Sequence, residues 1–248
     1  MRNIQLTIEY DGSRYDGWQK QPGSKSAVTI QDKIEDVLSK MEGETVEVVG
    51  AARTEAGVHA YHQIANFKTD SDMKVYEIKH YLNRFLPRDI AVVEALEVPE
   101  RFHASFNAKS FVYEYKISIG EVPSVFDRKY NYYCFKRPDV AKMKEAAKAL
   151  IGTHDFKAFS DNKRMKKSTI REIYSLDVYG DDKEVLITVH GDDFWPHMVR
   201  IIVGTLLQAG LGEIEPEDMA KILESKDREK AGPTAEAKGL FLSEVMYI

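Results

Sequence analysis

The order of the predicted elements most restricts the fold of this chain, because one order occurs twice along its 248 residues. Each half has the hydrophobic pattern of a strand, a helix, two strands, a second helix and a final strand. In the first strand, at 3–10, Ile4, Leu6 and Ile8 alternate with polar residues, as in a half-buried strand. The order predicts an α+β protein of two pseudo-symmetric lobes, each an antiparallel sheet with helices on one face.

The two halves predict the following elements. After the first strand, the first half has a helix capped by Thr29, strands at 44–50 and 62–69, a helix at 75–86 and a strand at 89–97. The second half has a strand at 110–119, a helix at 139–151, strands at 170–179 and 184–190, helices at 197–210 and after Pro216, and a strand at 240–247. We divide the chain into an N-terminal α/β subdomain, 1–105, and a C-terminal one, 106–248. An active-site cleft between the lobes is the expected ligand site.

Composition narrows the class of protein. The formal charge of −5 argues against a protein held to nucleic acid by its overall field. The single cysteine, Cys134, excludes an intramolecular disulfide framework and is expected to be a small buried hydrophobe. The sequence has no apolar stretch long enough to span a bilayer, and its start alternates apolar and polar residues. We therefore expect a cytoplasmic protein.

One segment, residues 52–60 (ARTEAGVHA), has the composition of a site. Glu55 lies between Arg53 and Gly57, and glycine lets the backbone adopt a positive φ or come close to a ligand. Arg53 and Thr54 can reach phosphate or sugar oxygens. The segment therefore suits a site that handles a nucleotide, although an ordinary surface turn fits these residues equally well.

A second segment, residues 162–171 (NKRMKKSTIR), carries five basic residues and no acid. Such a run can neutralise RNA phosphates whatever the total charge of the protein. A solvated loop explains the same run equally well.

Further segments, separated along the chain, carry a resemblance to a known family. They are 10–21 (YDGSRYDGWQKQ), 28–31 (VTIQ), 52–60, 82–87 (LNRFLP), 102–106 (FHASF), 113–115 (YEY), 152–156 (GTHDF), 169–173 (TIREI), 197–200 (HMVR) and 239–240 (GL). In this order they resemble the tRNA pseudouridine synthase A family over essentially the whole chain.

The resemblance implies a cofactor-free enzyme that isomerises uridine to pseudouridine at positions 38 to 40 of the anticodon stem-loop of tRNA. It also implies a homodimer that cradles the tRNA, with no metal and no membrane. The reaction breaks the bond from C1′ to N1, rotates the uracil and rejoins it through C5. The target base must first leave its stack.

The resemblance also implies roles for particular residues. The family's catalytic aspartate falls on Glu55, its active-site tyrosine on Tyr113, and the arginine that pairs with the carboxylate on Arg200. Arg200 would orient the carboxylate and keep it ionised, and Tyr113 would offer its ring to the flipped uracil. Leu240 resembles the apolar wall below the base. The expected tRNA contacts are Arg53, His59, His103, Ser105, Lys163, Arg164, Lys166 and Lys167.

The main departure from the family pattern is Glu55 in place of aspartate. A misplacement of about 1 Å in a reacting group can cost on the order of 100-fold in rate. Three explanations are open: a shifted backbone that lets Glu55 act, retained tRNA binding with little catalysis, or an introduced substitution. The presence of both Tyr113 and Arg200 favours activity. Further departures at Ala52, Ser105, Phe111, Pro196 and Glu236 indicate a divergent paralog.

Other constellations have simpler interpretations. A metal-dependent hydrolase site from His59, His62, His154 and Asp155 is disfavoured, because a spacing of three on a strand points two rings apart. Asp155 is typical of a cap or turn. His197 suits helix-start packing or a phosphate contact better than general-base catalysis. Trp18 is expected to pack the loop after the first strand, whereas the sequence gives no reason for Trp195.

Overall fold

A computed structural model describes residues 1–24, 26–161 and 168–248, which form two compact units. The first comprises Met1–Lys109 with Phe241–Ile248, and the second comprises Ser110–Leu240. The sequence assigned the C-terminal strand to the second half, but the structure groups it with the first unit. The basic side chains expected to contact tRNA at Lys163, Arg164, Lys166 and Lys167 lie outside the described residues.

The first unit is built around one sheet. Its elements are β1 (Arg2–Tyr10), a 3₁₀ helix (Gly12–Arg14), α1 (Ile30–Glu42), β2 (Val48–Gly50), β3 (His59–Thr69), α2 (Val75–Phe85), β4 (Ile90–Val98), α3 (Ala104–Asn107) and β10 (Leu240–Met246). The strand order is β4-β1-β3-β10, and β2 also pairs with β3. These pairs are antiparallel except β3 with β10, where Phe241 and Leu242 lie parallel to His59 and Ala60.

The second unit has its own run of strands. Its elements are β5 (Ser110–Ile119), β6 (Tyr132–Cys134), α4 (Val140–Lys148), β7 (Gly152–Asp155), a 3₁₀ helix (Phe156–Phe159), β8 (Ile170–Gly180), β9 (Glu184–Gly191), α5 (Met198–Gly210), α6 (Asp218–Ser225) and 3₁₀ helices at Arg228–Lys230 and Ala237–Gly239. The order is β5-β9-β8-β7, with antiparallel pairs, and β6 adds a short parallel pair to β5. The predicted α+β class is confirmed, and the short strands β6 and β7 are additions to it.

Local signals explain the start and end of α1. Thr29 accepts a hydrogen bond from the backbone N–H of Asp32, which confirms the predicted cap. Gly43 ends the helix in the left-handed region, at φ 79°. Between these caps, Ile30, Ile34 and Leu38 are fully buried. They form the apolar stripe that packs the helix into the core.

Strand β1 differs from its predicted half-buried state, because polar residues on its second face are buried as well. Asn3 is 1% exposed and donates to the carbonyl oxygens of Pro99 (3.0 Å) and Phe102 (2.9 Å). Its own side-chain oxygen accepts from Asn66 (2.9 Å). The segment from 99 to 104 thus covers this face, and a buried amide with these partners is stable there.

Two composition-based expectations can be compared with the structure. Cys134 is buried, as expected, and burial raises the pKa of its thiol. Among the described residues, no helix has the length and apolar character needed to cross a membrane.

Candidate active site

The loop between β2 and β3 carries Glu55, and buried side chains form hydrogen bonds to the inner side of this loop. Gln63 accepts from the backbone N–H of Ala52 (3.1 Å) and donates to the carbonyl of the same residue (2.8 Å). The hydroxyl of Tyr10 lies 2.6 Å from Oγ1 of Thr54. Burial raises the pKa of Tyr10, so this phenol stays protonated. These contacts fix the buried side of the loop.

The loop after β1 packs against the same segment. The backbone N–H of Trp18 donates to the carbonyl of Thr54 (3.0 Å), and that of Gly57 donates to the carbonyl of Tyr15 (3.2 Å). A Cβ on Gly17 would lie 2.6 Å from the Thr54 oxygen, and the φ of Gly17 is +96°. Only glycine fits there without strain. The motif at 10–21 therefore supports the loop of residues 52–60.

Trp18 is 1% exposed, which confirms its predicted packing role. A Cβ on Gly50 would lie 2.2 Å from its indole nitrogen, so the ring fits tightly against β2. Gly57 has a φ of 77°, in agreement with the predicted positive φ. The backbone N–H of Val58 donates to the carbonyl of Glu55 (3.1 Å), which closes the turn.

Of the two charged side chains predicted to act from this loop, Arg53 is exposed and Glu55 is half-buried. The structure thus presents Arg53 to solvent, where a phosphate can reach it. The roles of both residues in catalysis and tRNA contact stay predictions.

His59 differs from its predicted role. Its side chain is 1% exposed, and Nδ1 accepts from the backbone N–H of Gly12 (3.0 Å). Nδ1 also lies 3.3 Å from Oδ1 of Asp11, and the ring stacks on Phe241 with centroids 4.7 Å apart. A buried imidazole with these contacts supports the loop after β1. The expected contact with tRNA is therefore replaced by a structural role.

His103 and Ser105 lie at α3 in the first unit. His103 caps this short helix, accepts from the backbone N–H of Phe106 (3.2 Å) and stacks on the Phe106 ring at 3.9 Å. Ser105 is exposed. The backbone N–H of Ala104 donates to the side chain of Asn66 (2.8 Å), which fixes α3 to β3. This hydrogen bond holds the segment that carries both side chains predicted to bind tRNA.

In the second unit, Tyr113 lies on β5 opposite Val189 of β9 and is half-buried. The ring of Phe194 meets the Tyr113 ring edge to face, with centroids 5.4 Å apart and planes at 86°. A Cβ on Gly191 would lie 3.0 Å from the Phe194 ring and 2.8 Å from the Glu172 carbonyl. Glycine at 191 therefore makes room for the contact that orients Tyr113.

Arg200, on the first turn of α5, is held by the segment that follows α6. Its Nε donates to the carbonyl of Ala235 (2.6 Å), and the backbone N–H of Ala235 donates to the carbonyl of Arg200 (3.1 Å). The segment can approach α5 because residue 204 is glycine, where a Cβ would lie 1.8 Å from the Pro233 oxygen. These contacts with Ala235 therefore hold both the backbone and the side chain of Arg200 in place on α5.

The same segment reaches β5. The hydroxyl of Tyr115 donates to the carbonyl of Glu236 (2.8 Å), and a Cβ on Gly239 would lie 2.8 Å from the Tyr115 ring. Burial is the largest influence that raises the pKa of Tyr115; Glu236 acts in the same direction and Arg200 opposes it. Tyr113 and Tyr115 share one face of the strand because side chains alternate. Leu240, directly after this segment, is buried.

Glu236, one of the departures from the family pattern, has a local partner. Its carboxylate lies 2.7 Å from Nζ of Lys238. The pair reduces the effect of this departure from the family pattern.

The turn before α5 contains an unusual backbone conformation. His197 has a φ of 65°, and its Nδ1 lies 2.7 Å from Oδ2 of Asp161. Oδ1 of Asp161 accepts from Nε of Arg228 (2.7 Å). Partial burial acts to raise the pKa of Asp161, but the hydrogen bonds from Arg228 and His197 outweigh it, so the pKa is lowered. His197 thus starts the helix, as predicted.

Trp195, which the sequence pattern left unexplained, has a partner in the structure. The guanidinium of Arg171 lies 4.0 Å from the centre of its ring, and Arg171 also lies 3.4 Å from Asp193. This cation–π contact attaches the turn to β8.

Asp155 caps a 3₁₀ helix and pairs with Lys226 (2.8 Å), which confirms the predicted cap. Within the described parts of the chain, no group of three or more His, Cys, Asp or Glu side chains is arranged to hold a metal.

Defined contacts thus hold predicted site residues in place within each unit. Comparison with known proteins defines the family. A family model described as tRNA pseudouridine synthase matches residues 6–107 and 146–247. The chain therefore belongs to the tRNA pseudouridine synthase family.

Individual relatives narrow the comparison. The chain is 47% identical over 247 residues to tRNA pseudouridine synthase A 2 of Bacillus cereus, and this alignment covers 100% of both proteins. It is 47% identical over 247 residues to tRNA pseudouridine synthase A 1 of Clostridium tetani, again with 100% of both chains covered. A solved H/ACA RNP bound to a substrate RNA has a TM-score of 0.36 and 11% identity over 83% of this chain and 44% of its own, too low to support an inference.

The sequence missed the residues that support the site. Tyr10 and Gln63 lie within the predicted strands at 3–10 and 62–69, and Phe194 lies between a predicted strand and a predicted helix, so the pattern assigned none of them a role at the site. A polar residue at a core position of β3 was the available signal for Gln63, because a buried amide needs partners.

Proposed function

We propose that this chain isomerises uridine to pseudouridine in tRNA, at positions 38 to 40 of the anticodon stem-loop. Full-length identity of 47% to proteins named tRNA pseudouridine synthase A supports this proposal. The observation that carries it is the loop with Arg53 and Glu55, which Tyr10, Gln63 and the glycine-rich loop after β1 hold in place. A preorganised carboxylate is what the reaction requires.

The proposed reaction balances as an isomerisation. The bond from C1′ to N1 breaks, the freed uracil rotates, a bond from C5 to C1′ forms, the proton on C5 is lost to solvent, and N1 takes up a proton in its place. Glu55 supplies the carboxylate, either by addition or by assisting glycosidic cleavage. Arg200 orients that carboxylate, and Tyr113 stacks on the flipped base. Leu240 forms the apolar wall below the base.

Contacts with the tRNA backbone are assigned to cationic or polar groups at the surface. Arg53 and Ser105 are exposed, and His103 is the half-buried N-cap residue of α3. The basic run at 163–167 supplies further phosphate contacts on the basis of its sequence alone.

We also propose that the protein acts in the cytoplasm as a homodimer. Support for self-association comes from the segment between β5 and β6, where Val122, Val125 and Phe126 are 80%, 67% and 90% exposed. Exposed apolar clusters of this kind favour an interface. Sedimentation equilibrium that gave the mass of a single chain at micromolar concentration would contradict the dimer.

Release of tritium from tRNA labelled at C5 of uridine tests the reaction. We expect the native chain to release label and Glu55→Gln to release none, because the amide cannot serve as a carboxylate. Glu55→Asp is the matched acidic variant. Release by Glu55→Asp alone would instead show that the extra methylene prevents catalysis, and would favour a tRNA-binding role for the native chain. No release by any of the three, with tRNA still bound, would reject the proposed reaction on this tRNA.

A further inference from the structure

The C-terminal end of α2 presents an aromatic ring and positive charges to solvent. The Phe85 side chain is 54% exposed. The Arg84 guanidinium lies 5.5 Å from the centre of the Phe85 ring, and the Tyr81 ring packs beside it with centroids 4.6 Å apart. We call Arg84, Phe85 and Arg88 the α2-end surface.

The charges of the α2-end surface are not neutralised locally. Across residues 1–24, 26–161 and 168–248, no carboxylate lies within 4.0 Å of the guanidinium of Arg84 or Arg88. Both side chains are exposed. In a chain with a net charge of −5, a pair of unpaired arginines beside an exposed ring is a local positive region.

Hydrogen bonds connect the α2-end surface to the loop that carries Arg53 and Glu55. Asp89, directly after Arg88, accepts from the Tyr15 hydroxyl (2.6 Å), and its carbonyl accepts from the backbone N–H of Asp11 (2.9 Å). Tyr15 in turn accepts from the backbone N–H of Gly57 (3.2 Å). The surface therefore has a fixed position relative to the candidate catalytic loop within the first unit.

The chemistry of the α2-end surface matches unpaired RNA. An exposed aromatic ring stacks on a nucleobase of any sequence, and flanking arginines neutralise phosphates. Nucleotides next to a base that leaves its stack are themselves available for such stacking.

We propose that the α2-end surface binds RNA nucleotides that flank the target uridine, with one unpaired base stacked on Phe85 and the phosphates held by Arg84 and Arg88. This inference rests on the proposed function, because the RNA it holds is the substrate. Because ring stacking and phosphate contacts do not read base edges, this binding is independent of sequence.

The test compares tRNA affinity with the rate of modification. Phe85→Leu keeps an apolar side chain against Tyr81 but removes the aromatic face, and Phe85→Trp restores an aromatic face. Tyr179→Ala is the matched control, because Tyr179 is 60% exposed and has Lys144 5.7 Å from its ring centre in the second unit. Arg84→Gln and Arg88→Gln remove the charges.

We expect Phe85→Leu to weaken tRNA binding roughly 5- to 150-fold, the range for loss of one base stack. The rate of tritium release at saturating tRNA should not change, and Phe85→Trp should bind like the native chain. Each arginine variant should lower the salt dependence of log Kd by about 0.7. Tyr179→Ala should change neither quantity.

Equal tRNA affinity of Phe85→Leu and the native chain, with tritium release intact in both, would overturn the inference and leave the proposed function standing. A native chain that released no tritium would instead reject the proposed function. If Phe85→Leu bound tRNA normally but lost self-association in sedimentation, the surface would belong to a second copy of the chain, and the RNA assignment would be wrong.

Discussion

At the residue scale, Gln63 has a larger structural role than its neutral side chain indicates. Its amide is fully buried and satisfies both backbone groups of Ala52, three residues before Glu55. A buried N–H or carbonyl left without a partner costs about 1–3 kcal/mol. The amide therefore links the stability of the first unit to the position of the candidate catalytic loop.

Gln63→Ala should lower the free energy of unfolding by about 2–4 kcal/mol, because both Ala52 groups lose their partner. Urea unfolding followed by circular dichroism measures this change. Gln21→Ala is the control, since Gln21 is exposed and has only a 3.4 Å contact with the Asp16 carbonyl. A loss below about 0.5 kcal/mol in Gln63→Ala, comparable with an ordinary surface substitution, would show that water replaces the amide.

At the element scale, the turn between β9 and α5 joins two predicted catalytic residues of the second unit. Phe194 in this turn contacts the ring of Tyr113, and α5 begins at Met198 and carries Arg200. Arg171 and Asp161 attach the turn to the rest of the unit through Trp195 and His197. The turn thus acts as a positioning element for both Tyr113 and Arg200.

Phe194→Leu should reduce the maximal rate of pseudouridine formation roughly 2- to 12-fold, the worth of one edge-to-face aromatic contact. The KM for tRNA should stay constant, because Phe194 positions Tyr113 and is not assigned a tRNA contact. Steady-state kinetics of tritium release separates the two quantities. Phe194→Tyr keeps the ring and should retain most of the rate; a loss as large as that of Phe194→Leu would show that general packing is responsible.

The elements themselves were largely predictable from the sequence, whereas their supports were not. Thr29 and the apolar stripe of α1 specify a helix through local capping and periodicity, so its start was correct. The pairing of β10 with β3 depends on residues about 180 positions apart, for which alternation gives no register. His59 shows the same limit at the site: the family resemblance implied an RNA contact, but only the structure shows that its side chain is buried against Phe241 and Gly12.

At the scale of the whole molecule, each unit contains aspartates that stabilise it as anions. Partial burial acts to raise the pKa of Asp89 in the first unit and of Asp155 in the second, but hydrogen bonds outweigh it and both values are lowered. The hydrogen bonds come from Tyr15 and Arg14 to Asp89, and from Lys226 and Thr169 to Asp155. Asp161 has the same net direction.

A lowered carboxyl pKa in the folded state gives stability that is complete above the unfolded value, about 3.9 for aspartate, and is lost as the pH falls through the folded value. The free energy of unfolding should therefore be nearly constant just above about pH 5 and should decrease below about pH 4.

Asp161→Asn should make this decrease shallower, because the amide does not titrate. Asp177→Asn, on the exposed face of β8, is the control and should leave the slope unchanged. Urea unfolding between pH 3 and 6 measures the slope. Equal slopes for the native chain and Asp161→Asn would mean that the contacts of Asp161 with His197 and Arg228 do not stabilise the folded state.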